Sequence, residues 1–274
     1  MIAIEEDVQK LIESTDVMAK ETFEDSKKMR EFLKTLSDMY NTSYNNILLL
    51  KSQRENINFV ASKEDFEKYK YNVKEGEKPL KIIKRIKTEE GVKFKVAEVF
   101  DISQTDAVRN KKVYEKEYID KMLKGMCERR GLYYDPNNQM LNIESIVGDI
   151  SQNTRQRNNL KYDVDKYATQ SQAEVNATIF VVAKKLGINT RNYNLKDVCK
   201  WGIDKDTKTL KESLKYMQKF TNYFVKDFES QEKINKIEKQ EQEEMEWRVS
   251  SQKGHDGRKI YNQYDKRRNV TILC

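Results

Sequence analysis

Between Leu80 and Val96 the side chains alternate in twos, while the rest of the chain recurs mostly in threes and fours. Leu80-Lys81-Ile82-Ile83-Lys84-Arg85-Ile86 and Val92-Lys93-Phe94-Lys95-Val96 set apolar against basic residues around Thr88-Glu89-Glu90-Gly91. That is the pattern of a β-hairpin with one face buried and the other strongly cationic. The cationic face has two readings. Lysines can keep the outside of a sheet soluble and discourage edge pairing, or they can meet phosphates.

The flanking segments read as helices. Ile4, Val8, Leu11 and Ile12 share one face, as do Met29, Phe32, Leu33 and Leu36. A third helical segment covers Tyr44–Leu50, and Phe59-Val60 breaks the period as a short strand would. Ser62 and Asp65 mark a helix start, where a hydroxyl caps free N–H groups and an acid meets the positive end of the dipole. Residues 107–130 form a connecting helix ending near Gly131. Leu132-Tyr133-Tyr134-Asp135, the turn Pro136-Asn137-Asn138 and Met140-Leu141-Asn142-Ile143 predict a second hairpin. Helices follow near 144–158, over 167–186 with Gly187 as the stop, and from Leu195 to Glu246.

Two prolines and nine glycines in 274 residues leave little punctuation, so helix dominates. The expected fold class is α+β: N-terminal helices with a small antiparallel sheet, then a mostly helical domain. The boundaries fall at 1–130 and 131–246, with a basic tail over 247–274 in which Lys253, Arg258, Lys259, Lys266, Arg267 and Arg268 outweigh Asp256 and Asp265.

The three cysteines, Cys127, Cys199 and Cys274, are odd in number and form no CxxC, which argues for a reducing cytoplasm and against a cysteine-only zinc site. The chain starts with acidic residues and without a basic region followed by an apolar one. No run reaches membrane-spanning length, so no membrane partner is expected. A formal charge of +7 permits nucleic acid, and what matters is the clustering of cations from Lys70 to Lys95.

Three ordered motifs lie in this region: Ser43-Tyr44-Asn45-Asn46-Ile47-Leu48-Leu49-Leu50, Val73-Lys74-Glu75-Gly76-Glu77-Lys78-Pro79, and Val99-Phe100-Asp101-Ile102-Ser103-Gln104-Thr105. Together they resemble the N-terminal domain of ArdC-type antirestriction proteins, also found in plasmid primases and LtrC-like proteins of mobile elements. The resemblance implies single-stranded DNA binding and moves the hairpin lysines toward a DNA-facing surface. Such binding needs flat rings for unstacked bases and cations that follow the phosphates. Tyr40, Tyr44, Phe59, Tyr69 and Tyr71 are the candidate rings, with Tyr44 and Tyr71 preferred because each adjoins polar or glycine-containing turn sequence. Lys51, Arg54, Lys74, Lys78, Lys81, Lys84, Arg85, Lys93 and Lys95 are the candidate cations. Asn45 and Asn46 can bond bases or cap the helix. Gly76 permits a tight turn near a phosphate. Gln104, with Asp101, Ser103 and Thr105, can orient a ligand or satisfy the end of the sheet.

In that family a second domain carries HExxH on one helix and a glutamate on a later one as third zinc ligand. This chain has one histidine, His255, so two imidazoles one helical turn apart cannot be assembled. The closest stretch to the lost motif is Ile146-Val147-Gly148-Asp149-Ile150-Ser151-Gln152, with Asp149 at the base position. Gln172-Ala173-Glu174-Val175-Asn176-Ala177 resembles the later helix, with Glu174 as a relic ligand or an ordinary helix carboxylate. The expectation is a pseudo-metallopeptidase with no catalytic residues, metal or cofactor. It would be encoded on a plasmid, phage or conjugative element and act by occupancy to protect DNA or counter host defence. Its partners would be single-stranded DNA and a host defence or DNA-processing protein. Two alternatives stand: a protein–protein inhibitor built on the charged helices, and a metal-dependent enzyme using a noncanonical carboxylate site around Asp149 and Glu174.

Overall fold

The computed structural model describes residues 6–89, 91–108, 112–157 and 164–253, with the side chains of 157, 164–169 and 247–253 left aside. Of the basic tail expected over 247–274, residues 247–253 instead continue a helix, and 254–274, with His255, lie outside the described residues. The architecture is α+β, mostly helical, with one small antiparallel sheet.

Three helices come first: α1 (Glu6–Glu24), α2 (Ser26–Asp38) and α3 (Tyr44–Gln53). Asp25 caps α2 by accepting from Lys27 N, and Ser43 caps α3 by accepting from Asn46 N. Then come β1 (Val60–Ala61), α4 (Lys63–Lys68), β2 (Leu80–Thr88) and β3 (Gly91–Asp101). The order across the sheet is β1-β3-β2, with every pair antiparallel. The alternating segment is therefore the expected hairpin, and Ser62 caps α4 as its position promised.

Residues 132–143 depart from expectation. No strand forms there: Asn138 Oδ1 accepts from Leu141 N at 3.1 Å and starts a helix, α6 (Gln139–Arg157), directly after the turn. The Asn142 side chain accepts from Asp135 N and donates to Asp135 O, closing the loop that a hairpin would have used. Met140, Ile143, Ile146, Val147 and Ile150 then keep helical spacing on a packing face. Four residues of a helix's first turn cannot be told from a strand by periodicity alone. The remaining helices are α5 (Lys116–Arg130), α7 (Val164–Leu186), α8 (Lys196–Gly202) and α9 (Thr207–Lys253). Gly187, at φ 83°, closes α7 in the left-handed conformation that a Cβ disfavours.

Residues up to Gln231 make one compact body with three buried clusters. The first joins Phe23, Phe32, Leu33, Leu36, Ile47 and Leu48 of α1–α3 to Phe180, Val181, Val198, Leu214 and Met217 of α7–α9. The second gathers Met122, Met126, Ile146, Val147, Val182, Phe220 and Phe224. The third is small and seats the sheet: Met39, Leu50 and Ile57 against Leu80 and Val99. A second unit begins at Glu232. There α9 continues, and most of its described side chains are exposed, as the lysine- and glutamate-rich composition leads one to expect.

Candidate nucleic-acid interface

The three N-terminal motifs converge around the sheet. On α3, the Asn46 side chain donates to Ile83 O and accepts from Ile83 N, both at 2.9 Å. Two turns further, Gln53 does the same to Lys81, donating to its O at 2.9 Å and accepting from its N at 2.7 Å. Lys81 and Ile83 alternate along β2, so their N–H and C=O groups point to the same edge. Two side-chain amides thus stand where another strand would pair. Asn46 is buried in this role and does not cap its own helix.

The other two motifs lock to each other through Gln104. Its amide donates to Glu77 Oε2 and Lys78 O and accepts from Asp101 N, each at 2.8 Å. The Asp101 carboxylate in turn accepts from Asn58, Phe59 and Ser103 backbone N–H groups. Arg54 reaches Glu77 and Ser103 Oγ from the end of α3, and Lys74 donates through both its backbone N and its Nζ to the 103–104 backbone. Gly76 turns the connecting loop at φ 80°. Asp101 and Gln104 are 0% and 1% exposed, so these groups frame the sheet rather than face a ligand. Lys51 donates to Glu55 O, and burial pulls its pKa down.

The strand cations are exposed: Lys78, Lys81, Lys84, Arg85, Lys93 and Lys95. Their distribution differs from the expected single cationic face. Register pairs Leu80 with Val99, Ile82 with Ala97, Lys84 with Lys95 and Ile86 with Lys93 on one face; Lys81 with Glu98, Ile83 with Val96 and Arg85 with Phe94 lie on the other. The third core cluster reaches only as far as Ile82. Beyond it the core-side face turns cationic as well, so the distal half of the hairpin carries positive charge on both faces. Lys84 and Lys95 stand directly opposite each other, a pairing that costs stability, and no described carboxylate forms an ion pair with either.

Of the preferred rings, Tyr71 is exposed at 39%. Tyr44 packs on the first core cluster, where burial raises its pKa. Beside it, Asn45 Oδ1 is buried without a hydrogen-bond partner. Tyr69 and Phe59 are 76% and 49% exposed. Tyr69 and Tyr71 flank Lys70, whose φ of 63° is left-handed. Lys70 N bonds Glu67 O and Tyr71 N bonds Phe66 O, a helix stop that normally uses glycine. A lysine there costs about 1 kcal/mol and leaves a cation between two rings. The three residues stand together at a helix stop, and the signal in the sequence is a helix ending without glycine. Asp65, one turn before Tyr69 on α4, is held below the usual carboxylate range by its bond from Lys68, then by Ser62 and by charges that include Lys84.

In the second half, α6 packs on α7. Asp149 turns away from Glu174, to Arg130 of α5 and to Asn153. The α6 residues that meet α7 here are Ser151, 3.2 Å from Ser171 Oγ, and Arg155, bonded to Glu174. These lie one helical turn apart, the spacing two imidazole ligands would need. Burial raises Glu174 to about 7, while Arg155, Gln170 and Ser213 draw it back. A guanidinium at this position repels a metal, so the site does not fit one. Among the described residues no group of three or more His, Cys, Asp or Glu side chains converges either.

No protein-family model matches the chain, and no curated protein does. Among the solved structures similar to it are two of the antirestriction protein ArdC from the R388 plasmid. The metal-free crystal structure is 11% identical, covers 68% of this chain and 85% of its own, and has a TM-score of 0.42. The Mn(II)-bound one is 12% identical, with coverage of 67% and 84% and a TM-score of 0.45. Such identities leave the chemistry of the site to be read from its own residues.

Proposed function

We propose that the protein binds single-stranded DNA through the distal hairpin and the Tyr69-Lys70-Tyr71 platform. The observation that carries this reading is Lys84 facing Lys95 across the ribbon past the end of the core. A polyanion removes that repulsion on binding, so part of the affinity comes from relieving a cost the free protein bears. Exposed rings at the end of α4 supply sequence-tolerant stacking. Lys81, Arg85 and Lys78 extend the positive charge to the other face and the entry loop. Asn46, Gln53, Arg54 and Gln104 hold the hairpin in place without touching the strand.

The action is occupancy. Protection of incoming DNA, or obstruction of a host defence enzyme on behalf of a mobile element, is the role proposed. Among the described residues no metal-ligand group converges, and the Arg155–Glu174 pair supports a scaffold role for the second half. The test is an anisotropy titration of the full chain against a labelled single strand, its duplex and the matching RNA. Tighter binding to the single strand is expected; equal binding to strand and duplex, or none at low salt, would reject the reading.

A further inference from the structure

A second cationic hollow lies away from the hairpin, between the start of α2 and the loop that leads into α8. Its volume is about 450 Å3, and it is lined by Ser26, Lys27, Arg30, Arg191, Asn192 and Lys196, with Tyr193 to Leu195 completing the wall. No carboxylate lines it. The nearest acids in sequence are Asp25, whose side chain accepts from Lys27 N, and Asp197, one residue past Lys196.

The four cations have two different duties. Arg30 anchors the wall: it donates to Thr190 O at 3.0 Å and to Tyr193 O at 2.5 Å and lies over the Phe180 ring. Tyr193 OH donates to Asn176 O on α7, so the floor is fixed. Lys27, Arg191 and Lys196 are exposed and form no ion pair among the described residues. The first turn of α2 holds no acidic residue, and the Asp25 carboxylate just before it already accepts from Lys27 N and meets the positive end of the helix dipole. By contrast, the hollow between α1, α2 and α3 sets Glu21, Glu31 and Glu55 against its lysines and has no dominant sign.

We propose that this hollow is a binding site for a phosphate group, held by Lys27, Arg191 and Lys196 with Asn192 as a neutral donor. Nothing in the hairpin reading requires it. A phosphate satisfies three exposed cations at once, and the ammonium of α2 with the guanidinium and ammonium of residues 191–196 suit a multiply charged oxyanion. Two sources share this chemistry: a free phosphorylated compound, or the backbone of a bound strand.

Calorimetric titration of the full chain with inorganic pyrophosphate at low salt tests the proposal. Saturable one-to-one binding is expected in the wild type and in Lys84→Glu/Lys95→Glu. It should weaken by about tenfold or more in Arg191→Ala/Lys196→Ala, and again in Lys27→Ala, which alters the opposite wall. All substituted residues are exposed, so unchanged melting verifies the fold. No saturable binding, or equal binding in wild type and groove variants, overturns the site. An oligonucleotide titration of Arg191→Ala/Lys196→Ala and of Lys27→Ala names the source: a parallel loss marks the phosphate of a strand, and an unchanged affinity marks a free compound.

Discussion

Arg155 of α6 and Glu174 of α7 form an ion pair whose side chains are 2% and 0% exposed. Gln170 adds a bond to the same carboxylate at 3.0 Å, and the guanidinium lies over the Tyr216 ring. Arg155 Nε has no partner, so the desolvation of the pair is only partly offset. Removing one member strands a buried charge. Arg155→Ala should therefore cost about 3–5 kcal/mol, whereas Arg155→Met with Glu174→Leu should be near neutral or stabilising. Urea denaturation of the two variants checks this, and an equal loss in both would show that the pair itself stabilises the fold.

The same carboxylate sets a pH dependence. Glu174 titrates near its ordinary 4.5 when unfolded and at about 7 when folded. Between those values the folded protein holds a proton that the unfolded chain has lost, so the Glu174 contribution to stability falls as pH rises from 4.5 to 7 and is flat on either side. With one histidine in the chain, few other groups compete in that window. The urea midpoint of the wild type should decline across it, and that of Glu174→Gln should not.

Asn46 serves the sheet. Asn46→Ala leaves Ile83 N–H and C=O without their partners and should cost about 2 kcal/mol, with faster hydrogen exchange at the Ile83 amide. Gln53→Ala, at an exposed position where water can substitute, should cost less. A loss of DNA affinity without loss of stability in Asn46→Ala would contradict this assignment.

The rings divide by burial. Tyr69→Ala and Tyr71→Ala should each weaken single-strand binding by about 1–3 kcal/mol and leave melting unchanged. Tyr44→Ala should instead lower stability, on the order of 2 kcal/mol, through lost packing. Melting curves and anisotropy on the same samples separate the two effects.

Much of the fold was legible because periodicity reports packing. The hairpin, the Ser62 cap and the Gly187 stop each rest on a local rule, and the structure holds all three. The start of α6 was misread because its first apolar turn is too short to show its period. The site was less legible for a different reason. Asn46 and Gln104 are polar residues in motif positions, and only the fold reveals that their amides substitute for a strand and a turn. The division of cations between the two faces could not be seen without knowing where the core ends. The αL lysine between Tyr69 and Tyr71 follows from a helix stop that has no glycine. The role of Arg155 is set by Glu174 on the next helix, which no local pattern around residue 155 shows.

The central claim is that Lys84 and Lys95 meet phosphates of a single strand, and the salt dependence of binding tests it most directly. Each phosphate contact on a single strand contributes roughly −0.7 to the slope of log affinity against log salt. Relative to wild type, Lys84→Gln/Lys95→Gln should bind more weakly at low salt with a slope shallower by about 1.4, at a melting temperature equal to or above that of wild type because the facing like charges are gone. An unchanged slope would contradict the account.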